Sequence, residues 1–548
     1  MSKIGLPSSS GEVFIQGKNS PLDNTANAWQ NRPVMHEYQN KFSLTRAGLI
    51  ACGPRTDSLT ISMFDHSCDK NISITGLPPA CTRIVTLPFL TTVLALLSAL
   101  AQAQSPVAPP APFGPVPSTQ QLAWQRDELL MFEHFGLHSF AINGDHMGTG
   151  KDDPKLFTPT ALDCDQWARV AKEAGFKGII LTAKHHDGFC NWPTASTDYS
   201  VKNTSWKGGK GDVVAELAAA CRKGDIKFGL YLSAYDRNYG QSDRNKEDYP
   251  KVFAQQLTEL LSNYGKVDEI WFDGFGSQNM VVDREMRDAI CEKLQPEAVI
   301  FGTTRENAAK TVKGLRWVGN EAGHAPETMW SVYPNPSDPN ACWYPTESDT
   351  ILIGGWFWMG DQDKPKDLDK LLDIYYQTVG RNSLLLLNVA ADQRGLIADS
   401  AIQRLKDWKS VLDRTFKINL AHGATASAKQ LRNDSFGPQM AIDGDWETSW
   451  AVPDGVTTAT LELSLPKPTT FDVIMIQEQI RLGQRVEAWH VDALDSATGE
   501  WNPIAKGTTV GYKRLERINP VTASRVRFTI DKALACPVIN EVGLFKRP

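Results

Sequence analysis

The chain has no run of basic residues, no CxxC pair and no Cys/His spacing of a zinc site. No glycine-rich phosphate loop of either common kind follows one of its strand-like runs. The first absence argues against nucleic acid as a partner, because phosphate recognition needs clustered positive charge. The formal charge of -6 is mild for 548 residues. The missing cysteine and histidine spacings argue against a structural metal, and the missing phosphate loops disfavour nucleotide and dinucleotide enzymes. No internal repeat is visible, which sets solenoids aside. Of nine cysteines, three lie before residue 100; the rest are Cys164, Cys190, Cys221, Cys291, Cys342 and Cys536. What remains has the apolar and charged fractions of a globular protein, long enough for two or three domains.

Tryptophan is plentiful, at 16 residues. Most serve a core, but indoles also receive the C–H faces of sugars while leaving the hydroxyls free. One long apolar run exists, Ile84 to Leu100, preceded by Arg83 and followed by Ala101-Gln-Ala103. That is the pattern of a secretory signal, and residues 83–104 are assigned to it. Residues 1–82, polar and without periodicity, read as an unstructured or mis-annotated extension; a start at Met63 would account for much of it. Cleavage after Ala103 and secretion are expected. An uncleaved anchor is the alternative, since the run is nearly long enough to span a bilayer. Sequons at Asn203-Thr-Ser205 and Asn433-Asp-Ser435 suit that route. Pro106 to Pro117 reads as a stiff linker.

Residues 118–415 alternate short apolar runs with amphipathic helical patterns. Helices are predicted at Asp165–Gly175, Asp212–Arg222, Tyr249–Tyr264 and Arg284–Leu294. Strands are predicted at Gly178–Ala183, Lys227–Leu232, Val267–Asp273, Ala298–Phe301, Ile351–Trp356 and Leu384–Val389. Continuous apolar strands between such helices mean a parallel sheet, and the span suits a (β/α) TIM-like barrel. Residues 417–548 show strand patterns such as Ala459–Leu465, Phe471–Ile476 and Val526–Ile530 without a convincing helix, the signature of an all-β sandwich.

Three barrel strands finish in titratable residues: Lys184-His185-His186-Asp187-Gly188, Tyr231-Leu-Ser-Ala-Tyr-Asp-Arg237 and Glu269-Ile-Trp271-Phe-Asp273-Gly274. Strand C-termini are where barrel enzymes carry their sites; the plainer account, a strand followed by a tight turn, fits any one of them but not all three. Two carboxyl groups facing one acetal can cleave it, one trapping the cationic centre and one protonating the departing oxygen. Asp273 is the first candidate. For the second, Glu321, Glu347 and Glu327 all lie in loops downstream.

Between Glu128 and Val389 the motifs Met131-Phe-Glu-His134-Phe-Gly, Ala183-Lys-His185-His186-Asp-Gly-Phe-Cys-Asn-Trp192, Tyr231-Leu-Ser-Ala-Tyr-Asp-Arg237, Glu269-Ile-Trp-Phe-Asp273-Gly, Arg316-Trp-Val-Gly-Asn-Glu321-Ala-Gly and Gly355-Trp356-Phe-Trp358 recur in order. Together they resemble the α-L-fucosidases of glycoside hydrolase family 29, in the branch acting on α-1,3/4-linked fucose. The tail, with Ala441-Ile-Asp-Gly-Asp-Trp446-Glu-Thr-Ser-Trp450, resembles a discoidin-type, galactose-binding-like sandwich. The resemblance implies a retaining double displacement on fucosylated glycans, with Asp273 as nucleophile and Glu321 as acid and then base. It implies His134, His185, His186, Tyr231, Trp271, Trp356 and Trp358 around the sugar, and no cofactor or metal. Desolvation among Trp317 and Trp330 would keep Glu321 protonated. Relatives usually carry Glu-Trp where this chain has His146-Met147, and Trp and His where it has Tyr235 and Asn238. Two alternatives therefore stand beside the fucosidase: a non-hydrolytic carbohydrate-binding protein on the same scaffold, and a retaining glycosidase for a related sugar.

Overall fold

The computed structural model describes residues 108–142, 147–274, 281–360 and 364–548. The extension, the signal-like run and His146 lie outside them. After helix α1 (Thr119–Asp127), whose Ser118 and Gln121 form a reciprocal capping box, eight strands follow. They are β1 (Leu129–Glu133), β2 (Gly178–Lys184), β3 (Lys227–Ser233), β4 (Glu269–Asp273), β5 (Val299–Phe301), β6 (Gly314–Trp317), β7 (Thr346–Ile351) and β8 (Ser383–Asn388). All are parallel, each pairs with its neighbours in chain order, and β8 closes on β1. This is the barrel that the alternating pattern predicts.

Helices cover the outside: α2 (Cys164–Ala174), α3 (Val213–Gly224), α4 (Tyr249–Asn263), α5 (Arg284–Leu294), α6 (Arg305–Thr311), α7 (Leu368–Thr378) and α8 (Asp399–Phe416). Aspartate side chains start several of them, Asp163, Asp212 and Asp283 each accepting a backbone N–H of the first turn. Two cores result. Inside the barrel, Phe132, Tyr231, Trp271, Phe301, Leu315 and Leu386 interdigitate, with Trp124 plugging the N-terminal end. Outside, the strands' other faces meet the helices.

Three features depart from the sequence reading. The strand expected at Ile351–Trp356 ends at Ile351 and begins at Thr346. Its inward positions are the polar Glu347 and Asp349, so the apolar run that followed drew the prediction downstream, into bends around Gly354-Gly355. Between β6 and β7 there is no helix; a loop carrying a short hairpin (Val332–Tyr333 with Cys342–Trp343) takes its place. The proline-rich stretch, finally, is no free spacer. Phe113 N–H donates to the Leu482 carbonyl, and Arg432 and Arg485 donate to the carbonyls of Ala108 and Ala111, which straps it to the C-terminal sandwich.

That sandwich comprises β9 (Thr425–Ala428), β10 (Trp450–Ala451), β11 (Ala459–Glu478), β12 (Val486–Leu494), β13 (Trp501–Gly507), β14 (Arg514–Ala533) and β15 (Val538–Phe545). They are antiparallel in the order β10-β15-β11-β14-β12-β13, with β9 on β11. What reads as separate strands at Ala459–Leu465 and Phe471–Ile476 is one long β11, interrupted by register shifts that bend the sheet around its own core. It docks firmly on the barrel: Val473, Met475, Leu515 and Phe545 belong to the barrel's outer core. The Glu128 carboxylate, at the foot of β1, accepts from Tyr512 and Lys513.

Candidate active site

At the C-terminal end of the barrel, β4 stops at Asp273 because Gly274 turns into the left-handed region (φ +71°), where a Cβ would meet Tyr235 at 2.6 Å. Asp273 is thus presented at the mouth, its side chain 43% exposed. Its Oδ1 accepts the Gly274 N–H (2.6 Å), and its Oδ2 accepts the Tyr231 hydroxyl (3.1 Å). Burial, and then the neighbouring Asp273 charge, push the Tyr231 phenol well above its ordinary pKa, so it stays a donor. His186 Nε2 lies 3.5 Å from the same Oδ2.

The orientation of His186 follows from Ser233, which pairs with Asp273 in register. The Ser233 hydroxyl donates to the Tyr235 carbonyl (2.8 Å), so it accepts from His186 Nδ1–H (2.7 Å). Burial lowers the pKa of His186, with the Asp273 charge opposing. The neutral ring turns the lone pair of Nε2 toward the mouth, ready for a hydroxyl donor.

His134 is built the same way. Asn388, its neighbour at the tip of β8, donates Nδ2–H to the Trp356 carbonyl (2.7 Å), leaving Oδ1 to accept from His134 Nδ1 (2.7 Å). Burial pulls the His134 pKa down to about 3, so its Nε2 is an acceptor. His185 stacks on Tyr231 (5.6 Å, 16°) and is hydrogen-bonded to the Met147 backbone. Its Nδ1 is buried without a hydrogen-bond partner among the described residues. Burial and the adjacent imidazoles hold His185 neutral. Three neutral imidazoles therefore cluster on Tyr231 and on one another, with His186 next to the half-open carboxylate.

Indoles complete the mouth, and each N–H ends on a carboxyl. Trp271, sandwiched between Phe301 (3.9 Å) and Tyr231 (5.2 Å), donates to Glu347 (2.9 Å). Trp356 donates to Glu321 (3.2 Å), and Trp317 to Asp349 (2.7 Å). Burial, with Glu321 and Asp273 adding to it, raises the Asp349 pKa to about 7. The other two acid candidates are placed elsewhere. Glu347 is fully buried beneath the floor, and Glu327 is tied to Arg381 and Arg514 at the sandwich. Glu321 itself is exposed, bonded to Trp356 rather than enclosed between Trp317 and Trp330.

Sequence reasoning missed four residues here: Ser233, Asn388, Asp349 and Phe357. Phe357 is buried edge-on against His134, His138 and His185, while Trp358 packs half-buried on the outer core. A lone Asn ending an all-leucine strand is the one signal that was available. Asn238 and Arg237 donate to the carbonyls of Gly150 and Gly148, pinning the end of the β1 loop. Among the described residues no cluster of three or more His, Cys, Asp or Glu is arranged to hold a metal.

Residues 120–415 match the family model described as alpha-L-fucosidase, and residues 423–541 match the F5/8 type C domain. Alpha-L-fucosidase 1 of Arabidopsis thaliana is 38% identical over 487 residues, 84% of this chain and 94% of that protein. The Ruminococcus gnavus GH29 fucosidase, solved in complex with fucose, superposes with a TM-score of 0.72 at 30% identity, covering 81% of this chain and 97% of its own. A glycoside hydrolase 29 family member from a rumen bacterium gives 0.67 at 37% identity, covering 80% and 78%.

Proposed function

The chain belongs to the α-L-fucosidase family, glycoside hydrolase family 29, and from that premise we propose a retaining hydrolysis of terminal α-1,3/4-linked fucose. Asp273 attacks the anomeric carbon while Glu321 gives its proton to the bridging oxygen, so the glycosidic bond breaks as the sugar–Asp273 ester forms. Glu321, now a carboxylate, takes a proton from water, and the resulting hydroxide displaces Asp273 with a second inversion. The single observation behind this assignment is Asp273 itself, half-open at the tip of β4 with Tyr231 and Gly274 donating to it. His134 and His186, each with an unprotonated Nε2, accept the sugar's hydroxyls, His185 stands beside them stacked on Tyr231, and Tyr231, Trp271 and Trp356 line the pocket.

The test is hydrolysis of an aryl α-L-fucoside followed by NMR of the first-formed anomer. The α anomer is expected, and Asp273→Ala is expected to lose at least 1,000-fold in kcat, about 4 kcal/mol. A β anomer first, or equal rates for the two proteins, would overturn the assignment. Linkage is read from α-1,2-, α-1,3-, α-1,4- and α-1,6-fucosylated oligosaccharides; preference for the 1,2 or 1,6 isomers would remove the 1,3/4 reading. We also propose secretion, on the strength of the run 84–100 ahead of Ala101-Gln-Ala103. A mature N-terminus upstream of residue 84 would contradict it.

A further inference from the structure

The acid of a glycosidase touches the bridging oxygen, so the loop that carries it also lines the space entered by the departing group. Trp317 stands on that loop's stem, four residues before Glu321. We propose that the Trp317 indole is the platform on which the leaving sugar stacks, and that Asp349 is the positioning residue that sets the ring. The proposal rests on the fucosidase reading above and extends it to the aglycone.

The strand fixes the direction. In β6, Leu315 points into the barrel core while Arg316 turns outward to the carbonyls of Tyr344 and Trp330. Alternation returns Trp317 to the inner side, now at the mouth. There the ring is 45% exposed, an unusual state for so large an apolar group. It is nonetheless fixed by its edge, through the 2.7 Å bond from Nε1 to Asp349. An aromatic face held rigid and open to water is preorganised for a flat apolar partner, and a pyranose presenting a patch of C–H groups is one.

Asp349 gives the second half. Its residue is only 5% exposed, and a buried carboxyl is costly unless it is satisfied. It is the inward residue of β7 one layer above Glu347, close enough for Asp273 and Glu321 to perturb it. The faces of the other two indoles described at the mouth are less open: Trp271 is sandwiched between Phe301 and Tyr231, and Trp356 is half-buried while its N–H holds Glu321. Trp317 is the open one. No covalent step is added; Asp349 acts through the ring.

The measurement is kcat/KM for a fucosylated trisaccharide divided by that for α-L-fucosyl fluoride, whose leaving group needs neither acid nor platform. For Trp317→Ala and Asp349→Leu this ratio is expected to fall about tenfold. Trp317→Phe falls less, and Asp349→Asn, which keeps an acceptor oxygen for the indole, stays within about twofold of the parent. The double variant Trp317→Ala/Asp349→Leu loses no more than either single change, because one acts through the other. An unchanged ratio in Trp317→Ala, whether both substrates suffer equally or neither does, overturns the platform. Additive losses in the double variant, or an Asp349→Asn ratio as low as that of Asp349→Leu, overturn the role of Asp349. Should the unaltered enzyme fail to hydrolyse the fluoride, the fucosidase reading falls instead.

Discussion

Ser233 has one proton, and the Tyr235 carbonyl takes it. That small commitment puts the His186 proton on Nδ1 and leaves Nε2 bare where it faces Asp273. Replacing Ser233 by alanine frees the ring to adopt the other tautomer, whose Nε2–H would donate to Asp273 and withdraw the acceptor meant for a sugar hydroxyl. We expect kcat/KM to drop about tenfold, near 1.4 kcal/mol, with KM rising, while Ser233→Thr restores most of it. A loss confined to thermal stability with unchanged KM would contradict this. Apart from Asn388, residues of this kind left no mark in the sequence. Asp273 and the histidines ended apolar strands and so declared themselves, whereas Ser233, Asn388 and Asp349 act on other side chains. A hydroxyl or amide inside a strand looks alike whether it orients a catalytic ring or a loop.

At the scale of elements, the strand pattern reported the barrel well because inner and outer faces are both apolar over most of its height. It named neither β1 nor β6, and it misplaced β7, where Glu347 points inward and meets Glu269 of β4. These two carboxyls lie buried in the barrel interior, where one oxygen of each accepts an indole N–H, Glu347 from Trp271 and Glu269 from Trp124. Burial raises both, and Glu269 reaches about 8. The folded state therefore holds protons that the unfolded chain releases near pH 4.5. The stabilisation is complete below that value and is lost as pH climbs toward 8, on the order of a few kcal/mol. Melting temperature should fall between pH 5 and pH 8.5, and Glu269→Gln, which keeps an acceptor for Trp124, should flatten that slope. A parallel pH dependence in the variant would show that the pair does not titrate as described. Glu269 lines a cavity of about 300 Å³ at the barrel's N-terminal end, so solvent reaches its vicinity without unfolding.

At the scale of the molecule, the missing helix between β6 and β7 has a counterpart in the sandwich. Met329 N–H donates to Thr509 (2.8 Å), Ser331 N–H to Gln484 (2.7 Å), and Thr508 and Arg514 to the Glu327 carbonyl. The loop that carries Glu321 is thereby anchored by residues distant in sequence. Gln484→Ala should speed amide exchange in segment 327–331 about tenfold, leaving the Asp273 strand unaffected; equal protection in both proteins would show that the anchor is dispensable. The order of barrel and sandwich was legible from composition and periodicity alone. Their interface was not, since Gln484, Tyr512 and Lys513 carry no local sign of a partner more than a hundred residues away.

The strap at residues 108–117 lies across the sandwich, which follows the barrel in the chain and so is synthesised after it. Phe113 waits for Leu482, Ala111 for Arg485, and the Glu128 carboxylate at the first strand's foot for Tyr512 and Lys513. Until the sandwich has emerged, the opening strand has neither its clamp nor its counter-charge. A chain cut short within the sandwich would therefore carry a barrel whose opening strand lacks that clamp.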